Sequence, residues 1–448
     1  MPFDIFAFII NFFALSWWFW TFLLLLPLAI SAFLHWRQEN FKHELEWAFL
    51  ELKIPREIKK NPRAMEQVLT SIYSFRNAAS DFGEKWLEGE VTRWYALEMA
   101  SFGGETHFYV RTFKKQKAVM EAAFLSYYPD LEIEEVEDYA QKLPATVKEM
   151  YEQGYNLWSA EYKLNHEDAY PIKSYAEFEA PAEEKEYDPM SAFLELFSKL
   201  KKEEIVGIQF LIAPTGKNWR DKYDSLIDEL RTNQTEPGRM KTNTFFPGGP
   251  LPRLEAVKPG QEEGASQIFR SFMRTPGETD VLEAVENNLS KLAFDTLIRF
   301  VYLSPKELFN DTYPRRGIQS VFDQFTALDL NSFTRAKHSE TRIRFWYWPY
   351  FFPQTRVEWR KARNLYNYRN RVVPPETFMG KVLTSKFLDW NFASRRFILN
   401  TESLATLFHP PTYMALTAPH MKRVESRKAG PPAGTAVFVG EEEIERFK

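Results

Sequence analysis

The stretch YALEMASFGGETHFYVRTF, residues 95–113, decides how this chain folds. Tyr95, Leu97 and Met99 alternate with their neighbours at the two-residue period of a strand, and His107 to Phe113 returns as a second strand. Gly103-Gly104 between them tolerates positive φ, so the two strands form a hairpin. Lys114 to Tyr128 follows with Val119, Ala123 and Tyr127 in one row and Met120, Phe124 and Tyr128 in the next, a helix ended by Pro129-Asp130.

Working outward, Leu131 to Val136 is a short strand, and Trp158, Ala160, Tyr162 and Leu164 alternate as a half-buried one. Asp188-Pro189 opens a helix as N-cap and N1, with Met190, Phe193, Leu194, Phe197 and Leu200 on its apolar face. Ile205 to Ile212 is apolar almost throughout, as a strand covered on both faces is. After the first hairpin strand, residues 90–214 thus read strand, helix, strand, strand, helix, strand, the split βαβ ferredoxin-like order. A second α/β unit is expected between Lys217 and Tyr350. It holds helices at Trp219–Leu230 and Val281–Leu292, a strand at Phe294–Leu303 and a helix capped by Ser304-Pro305.

Upstream, Ile5 to Leu34 carries no charge and is interrupted by polar residues only at Asn11, Ser16, Thr21 and Ser31. That run exceeds the length needed to cross a roughly 30 Å hydrocarbon layer. Trp17, Trp18 and Trp20 at one end and Trp36 with Arg37 at the other bound a span from Leu15 to Trp36. Asp4 is the only charge before it, whereas Arg37, Lys42, Lys53, Arg56, Lys59 and Lys60 follow, which puts the C-terminal body on the cytoplasmic side. A cleaved signal peptide does not fit, because a basic leader and a small-residue cleavage site are missing.

The expected organisation is α+β: a membrane anchor at 1–38, membrane-proximal helices at 39–81 (Glu39–Leu52 and Pro62–Phe75), and a ferredoxin-like module at 82–216. A second module at 217–375, with a long loop at 232–267, and a C-terminal extension at 376–448 complete it.

With 44% hydrophobic and 16% aromatic residues the chain folds, and a net charge of -4 offers no general attraction to nucleic acid. The absence of cysteine excludes thiolate metal sites, disulfides and cysteine nucleophiles. Gly216-Lys217 fails as a phosphate loop, since Leu211 and Asn218 stand where a glycine and a Ser or Thr are needed. The histidines are scattered, and the carboxylates of Glu132–Asp138 and Glu177–Asp188 read as solvated faces. No catalytic group, cofactor or metal is expected.

The densest chemistry lies between Arg342 and Arg371. Arg342, Arg344, Arg356, Arg360, Lys361, Arg363, Arg369 and Arg371 are interleaved with aromatics that include Trp346 and Trp348. Guanidinium groups beside aromatic faces are what a single-stranded nucleic-acid groove uses. The competing reading is a hydrophobic strand and a helix whose arginines pair within the protein, and it is favoured because no wider basic field surrounds them. A third reading places Phe345–Phe352 on a membrane surface.

Three stretches carry a family resemblance. They are Glu46-Trp47 through Ile54-Pro55-Arg56-Glu57-Ile58 to Ala64-Met65-Glu66, the segment Glu286 to Tyr302, and Leu399-Asn400-Thr401-Glu402-Ser403-Leu404-Ala405-Thr406-Leu407-Phe408-His409-Pro410. With the Pro431-Pro432-Ala433-Gly434 loop, they resemble a membrane-anchored bacterial family associated with type IV secretion and conjugation ATPases. The resemblance implies a non-catalytic scaffold in the bacterial inner membrane that recruits a separate hexameric ATPase or another secretion-machine subunit. Direct single-stranded nucleic-acid binding is the alternative, and self-association stays open.

Overall fold

The structure is a computed structural model that describes residues 14–55, 60–178, 188–216, 218–232, 276–344 and 346–412. Residues 233–267 of the expected long loop, Lys217 and the Pro431–Gly434 loop lie outside the described residues.

In chain order the main elements are α1 (Trp17–Glu44), β1 (Trp47–Lys53), α2 (Pro62–Ser74), β2 (Tyr95–Phe102), β3 (Glu105–Phe113), α3 (Lys117–Tyr127) and β4 (Glu132–Glu135). There follow α4 (Val147–Glu152), β5 (Tyr155–Leu164), α5 (Met190–Ser198), β6 (Ile205–Pro214), α6 (Asp224–Thr232), α7 (Pro276–Leu289) and β7 (Ala293–Pro305). Last come α8 (Gln319–Asp323), β8 (Phe333–Arg335), α9 (Pro353–Asn370), α10 (Phe378–Leu383), β9 (Phe397–Asn400) and α11 (Thr401–Leu407).

All the strands join one antiparallel sheet in the order β4-β1-β3-β2-β6-β7-β5-β8, with β9 paired to β7. The fold is therefore α+β. Its first half, β1-α2-β2-β3-α3-β4, occupies the spatial order β4-β1-β3-β2. The second, β5-α5-β6-β7-α8-β8, repeats that order in mirror sequence as β6-β7-β5-β8. The halves meet where β2 pairs with β6, from Tyr95 opposite Ile212 to Phe102 opposite Ile205. The strands thus group differently from the expected 82–216 and 217–375 modules. β1 precedes the first of these, and β6 pairs with β7 across their boundary.

Glu39–Leu52 is not a separate helix. α1 continues to Glu44, and Trp47–Lys53 is a strand between β3 and β4. Ala48 and Leu52, four apart, satisfy both helical and alternating spacing, and two neighbouring strands with open hydrogen-bond edges decide the matter. Likewise Ser304-Pro305 ends β7 instead of capping a helix.

The two sheet faces differ. One is apolar: Tyr95, Leu97, Met99, Phe108, Val110, Trp158, Ile208, Phe210, Ile298 and Phe300 form the main core with side chains of α2, α3, α5, α8 and α11. Asn400 caps α11 as its side chain accepts from Ser403 N at 2.7 Å, and Leu404, Leu407 and Phe408 dock it into that core. On the opposite face a smaller apolar cluster, including Phe49, Ala100, Tyr109, Val301 and Leu303, packs under Leu365 and Tyr368 of α9.

The hairpin glycines Gly103 and Gly104 sit at φ 58° and 95°, the left-handed region read from the sequence. Gly207 serves a different purpose. A Cβ there would lie 1.8 Å from the Tyr368 hydroxyl, so its missing side chain lets α9 close on the sheet. Because Tyr368 is fully buried, Gly207→Ala should destabilise the fold by about 1–3 kcal/mol, the usual range for overpacking. Denaturant unfolding measures this, and an unchanged midpoint would mean that α9 packs elsewhere.

Candidate functional site

Four polar residues stand in a row across the second face. Glu98 on β2 faces Gln209 on β6, Gln209 faces Arg299 on β7, and Arg299 faces Glu161 on β5. All four are buried. Burial of charge at this density is unfavourable unless each group is paired.

The pairing comes from α9 and its C-terminal end. Arg371 Nε donates to Glu98 Oε1 at 2.8 Å and Nη2 to Glu98 Oε2 at 3.1 Å. The same guanidinium reaches Asp138, with Nη2 to Oδ1 at 2.8 Å and Nη1 bonded to Oδ2. Arg371 follows the last residue of α9 with φ 50°, a backbone state uncommon for arginine that this double clasp holds in place. Burial, the largest influence, depresses its basicity, but the charge and hydrogen bonds of Glu98, with Tyr139 and Asp138, together keep the guanidinium more basic than usual. Burial likewise opposes charge on Asp138, and the hydrogen bond and charge of Arg371, with the Ala140 amide and Gln141, together hold its carboxyl below the ordinary range.

The Tyr139 hydroxyl donates to Glu98 Oε2 at 2.7 Å and lies 2.5 Å from the Tyr368 hydroxyl. Burial, followed by the Glu98 charge, raises Tyr139 far above the normal phenol range, so it stays protonated. Gln209 Nε2 bridges Tyr368 O at 3.0 Å and Glu98 Oε2 at 3.3 Å. Further along the row, Arg299 Nε and Nη2 donate to Glu161 Oε1 at 3.0 and 2.7 Å, and Nη1 donates to Asn367 O at 2.9 Å.

The arginines and tryptophans singled out between 342 and 371 separate into two groups. Arg356, Arg360 and Arg371 face inward and are buried, which corrects their place among surface contacts. Arg356, Arg360, Asn364 and Tyr368 recur every fourth residue and form the inner stripe of α9. Arg360 Nη1 donates to Lys337 O at 3.0 Å and Glu340 O at 2.8 Å, and Nη2 to Asn391 O at 3.0 Å.

Of the others, Arg363 Nε bonds Asp389 Oδ2 at 3.2 Å, Arg369 Nη1 bonds Leu143 O at 2.6 Å, and Arg342 lies 3.8 Å from Asp311. Arg344 is exposed with its guanidinium over the Trp346 ring, and Trp346 and Trp348 are themselves exposed. Residues 346–352 form no strand, contrary to expectation. Tyr350, Phe351 and Phe352 add to the exposed aromatic surface there.

Glu98, Asp138, Tyr139, Glu161, Gln209 and Arg299 escaped the sequence reading. Asp138, read as solvated, is an Arg371 ligand. The available signal was a lone polar residue inside an apolar strand, as Gln209 is in IVGIQFLI. A second buried pair joins His409 Nε2 to Asp188 Oδ1 at 3.0 Å, while Asp188 also accepts from Met190 N, Thr412 N and Thr412 Oγ1. That pair fastens the end of α11 to the start of α5. Among the described residues no cluster of acidic and histidine side chains could hold a metal ion.

Residues 34–330 match a family described as Domain of unknown function (DUF8128). No curated protein matches the chain.

Arg371→Met should cost about 3–5 kcal/mol, since it strands the Glu98 carboxylate in the interior and leaves the half-buried Asp138 without its partner. In the Arg371→Met/Glu98→Met double variant the losses should fall short of additivity by about 0.5–3 kcal/mol. Strictly additive losses in denaturant unfolding would show that the two side chains do not meet.

Proposed function

Since the chain belongs to the DUF8128 family, whose description assigns no function, we propose from its geometry that it is a non-catalytic, membrane-anchored scaffold that presents a docking surface. The observation that carries this reading is that the apolar helix and the sheet domain are built as one piece. α1 is long and apolar enough to cross a membrane, with a mean hydropathy of 1.9. Its C-terminal part packs on the body: Met379 N donates to Ser31 Oγ at 2.8 Å, and Arg37 Nη2 bonds Leu87 O. A helix held this way transmits position from the bilayer to the sheet.

In this reading α1 is a retained single-pass anchor in a bacterial inner membrane with the body in the cytoplasm. The excess of basic residues after the helix supports that orientation. Each half of the sheet is a ferredoxin-like unit, supported by the 4-1-3-2 strand order that each half shows. The duplicated sheet is a rigid base, and the exposed aromatics Trp346, Trp348, Tyr350, Phe351 and Phe352 are the surface it presents. Large aromatic anchors of this kind dominate protein interfaces. The resemblance at Glu46–Glu66, Glu286–Tyr302 and Leu399–Pro410 supports a hexameric ATPase of a secretion or conjugation machine as the partner.

Nucleic acid is the weaker reading. With Arg356, Arg360 and Arg371 buried, and Arg342, Arg363 and Arg369 engaged within the chain, no continuous basic track remains along 342–371.

A photocrosslinking residue in place of Trp348, in the full chain in its native membrane, tests the docking role. Mass spectrometry should recover a hexameric ATPase, and the yield should fall when Trp346 is changed to Ser. Recovery of no ATPase, or of the same ATPase from a probe at Val119 on the opposite helical layer, would contradict the reading.

A further inference from the structure

Two segments far apart in sequence close around the body-side end of α1, and both leave large apolar side chains uncovered. The first is residues 81–89, a single π-helical turn (Glu84–Glu88) with Phe82 73% exposed and Leu87 also exposed. The second runs from α10 to Trp390, with Phe378 64% and Phe387 92% exposed beside Leu383 and Leu388. Singly exposed apolar residues are ordinary, but a cluster of this size on two converging segments is not.

Their depth follows from α1. At about 1.5 Å per residue, Leu15 to Ile30 measures about 24 Å. That is short of the roughly 30 Å hydrocarbon layer. In a span from Leu15 to Trp36 the missing length is Ser31 to Trp36, where α1 first meets the body. Met379 N donates to Ser31 Oγ at 2.8 Å, so α10 lies beside this last part of the span.

The other segment meets α1 about 9 Å further on, just past the end of the span at Trp36. Gly89 takes φ 75°, and a Cβ on it would stand 2.5 Å from the Arg37 carbonyl carbon, so the loop touches the α1 backbone directly. Charge fits the same placement. Lys381 and Lys386 are exposed between the apolar side chains of 378–390, the mixture of basic and bulky apolar groups that interfacial segments use against acidic headgroups, whereas 81–89 sets exposed Asp81 and Glu88 beside Lys85 and contributes through its apolar side chains. Long lysine stems allow the ammonium groups to reach the headgroups while the neighbouring rings go deeper.

We propose that residues 81–89 and 378–390 form a collar around α1 that inserts Phe82, Leu87, Phe378, Leu383, Phe387 and Leu388 into the headgroup–acyl boundary of the bilayer. This inference rests on α1 spanning the membrane. It adds that the body is seated in the lipid and held at a fixed tilt, where an anchor alone would leave it tethered above. The collar is joined to the docking surface, because Asn391 Nδ2 donates to Trp348 O at 3.3 Å and Trp359 Nε1 to Asp389 Oδ1 at 2.9 Å. A partner bound at Trp348 would meet the lipid surface as well.

The cysteine-free sequence makes the test direct. Single variants Phe387→Cys, Phe82→Cys, Leu24→Cys and Val119→Cys of the full chain are spin-labelled in nanodiscs of phosphatidylcholine and phosphatidylglycerol. Collision rates with oxygen and with a water-soluble nickel chelate are then compared. The labels at 387 and 82 should share the oxygen preference of the label at 24 and collide with nickel several-fold less than the label at 119. If 24 is in lipid while 387 and 82 are as open to nickel as 119, the collar is wrong and the anchor stands. If the label at 24 is itself open to nickel, the spanning reading fails and the collar with it.

Discussion

Arg371 donates from Nε and both Nη atoms to Glu98 and Asp138 beneath the end of α9, and without it the Glu98 carboxylate would sit in a medium that cannot solvate it. Much of the chain's geometry follows from satisfying that condition. The guanidinium reaches Glu98 only if α9 lies flat on β2, β6, β7 and β5. Gly207 makes room for this, and Arg299 repeats the clasp further along by donating to Asn367 O. Once α9 is down, Arg363 and Trp359 hold Asp389, and Arg360 holds Asn391 O. Those contacts carry the segment that contains α10, and α10 packs on α1. A chain of polar contacts therefore runs from the middle of the sheet to the apolar helix.

The two faces of the sheet have different roles. The apolar face, covered by α2, α3, α5, α8 and α11, removes the larger hydrophobic area from water and supplies most of the stabilisation. The polar row contributes less, because the desolvation of Glu98, Glu161, Arg299 and Arg371 offsets most of their mutual attraction. What the row does supply is registry. An apolar α9 could slide or rotate by a turn at little loss, whereas displacing Arg371 or Arg299 by one turn leaves buried charges unpaired. That is the behaviour expected of a helix whose task is to hold a surface at a fixed place and angle.

Much of the architecture was legible in the sequence. The hairpin at 95–113 and the strand Phe294–Leu303 follow from alternation and paired glycines, both local signals. The strand at Trp47–Lys53 was not, because its spacing fits a helix equally well and the deciding hydrogen bonds come from strands more than forty residues away. For the same reason the pairing of β6 with β7 across residue 217 was not legible. The site was legible only as composition. Arginine density at 342–371 drew the eye to the segment that holds α9, but a polar inner stripe such as Arg356, Arg360, Asn364 and Tyr368 looks like a solvated face until the distant parts of the chain that it packs on are brought beneath it.

Native-state hydrogen exchange of the full chain tests the account at its centre, because it reads the docking of α9 without substitution. If the buried clasp fixes α9, its backbone amides from Val357 to Tyr368 should exchange only as slowly as those of β6 and β7, through opening of the whole sheet. Amides of α9 that exchange readily while β6 and β7 stay protected would show that the helix lifts off by itself, and that the polar row does not hold it.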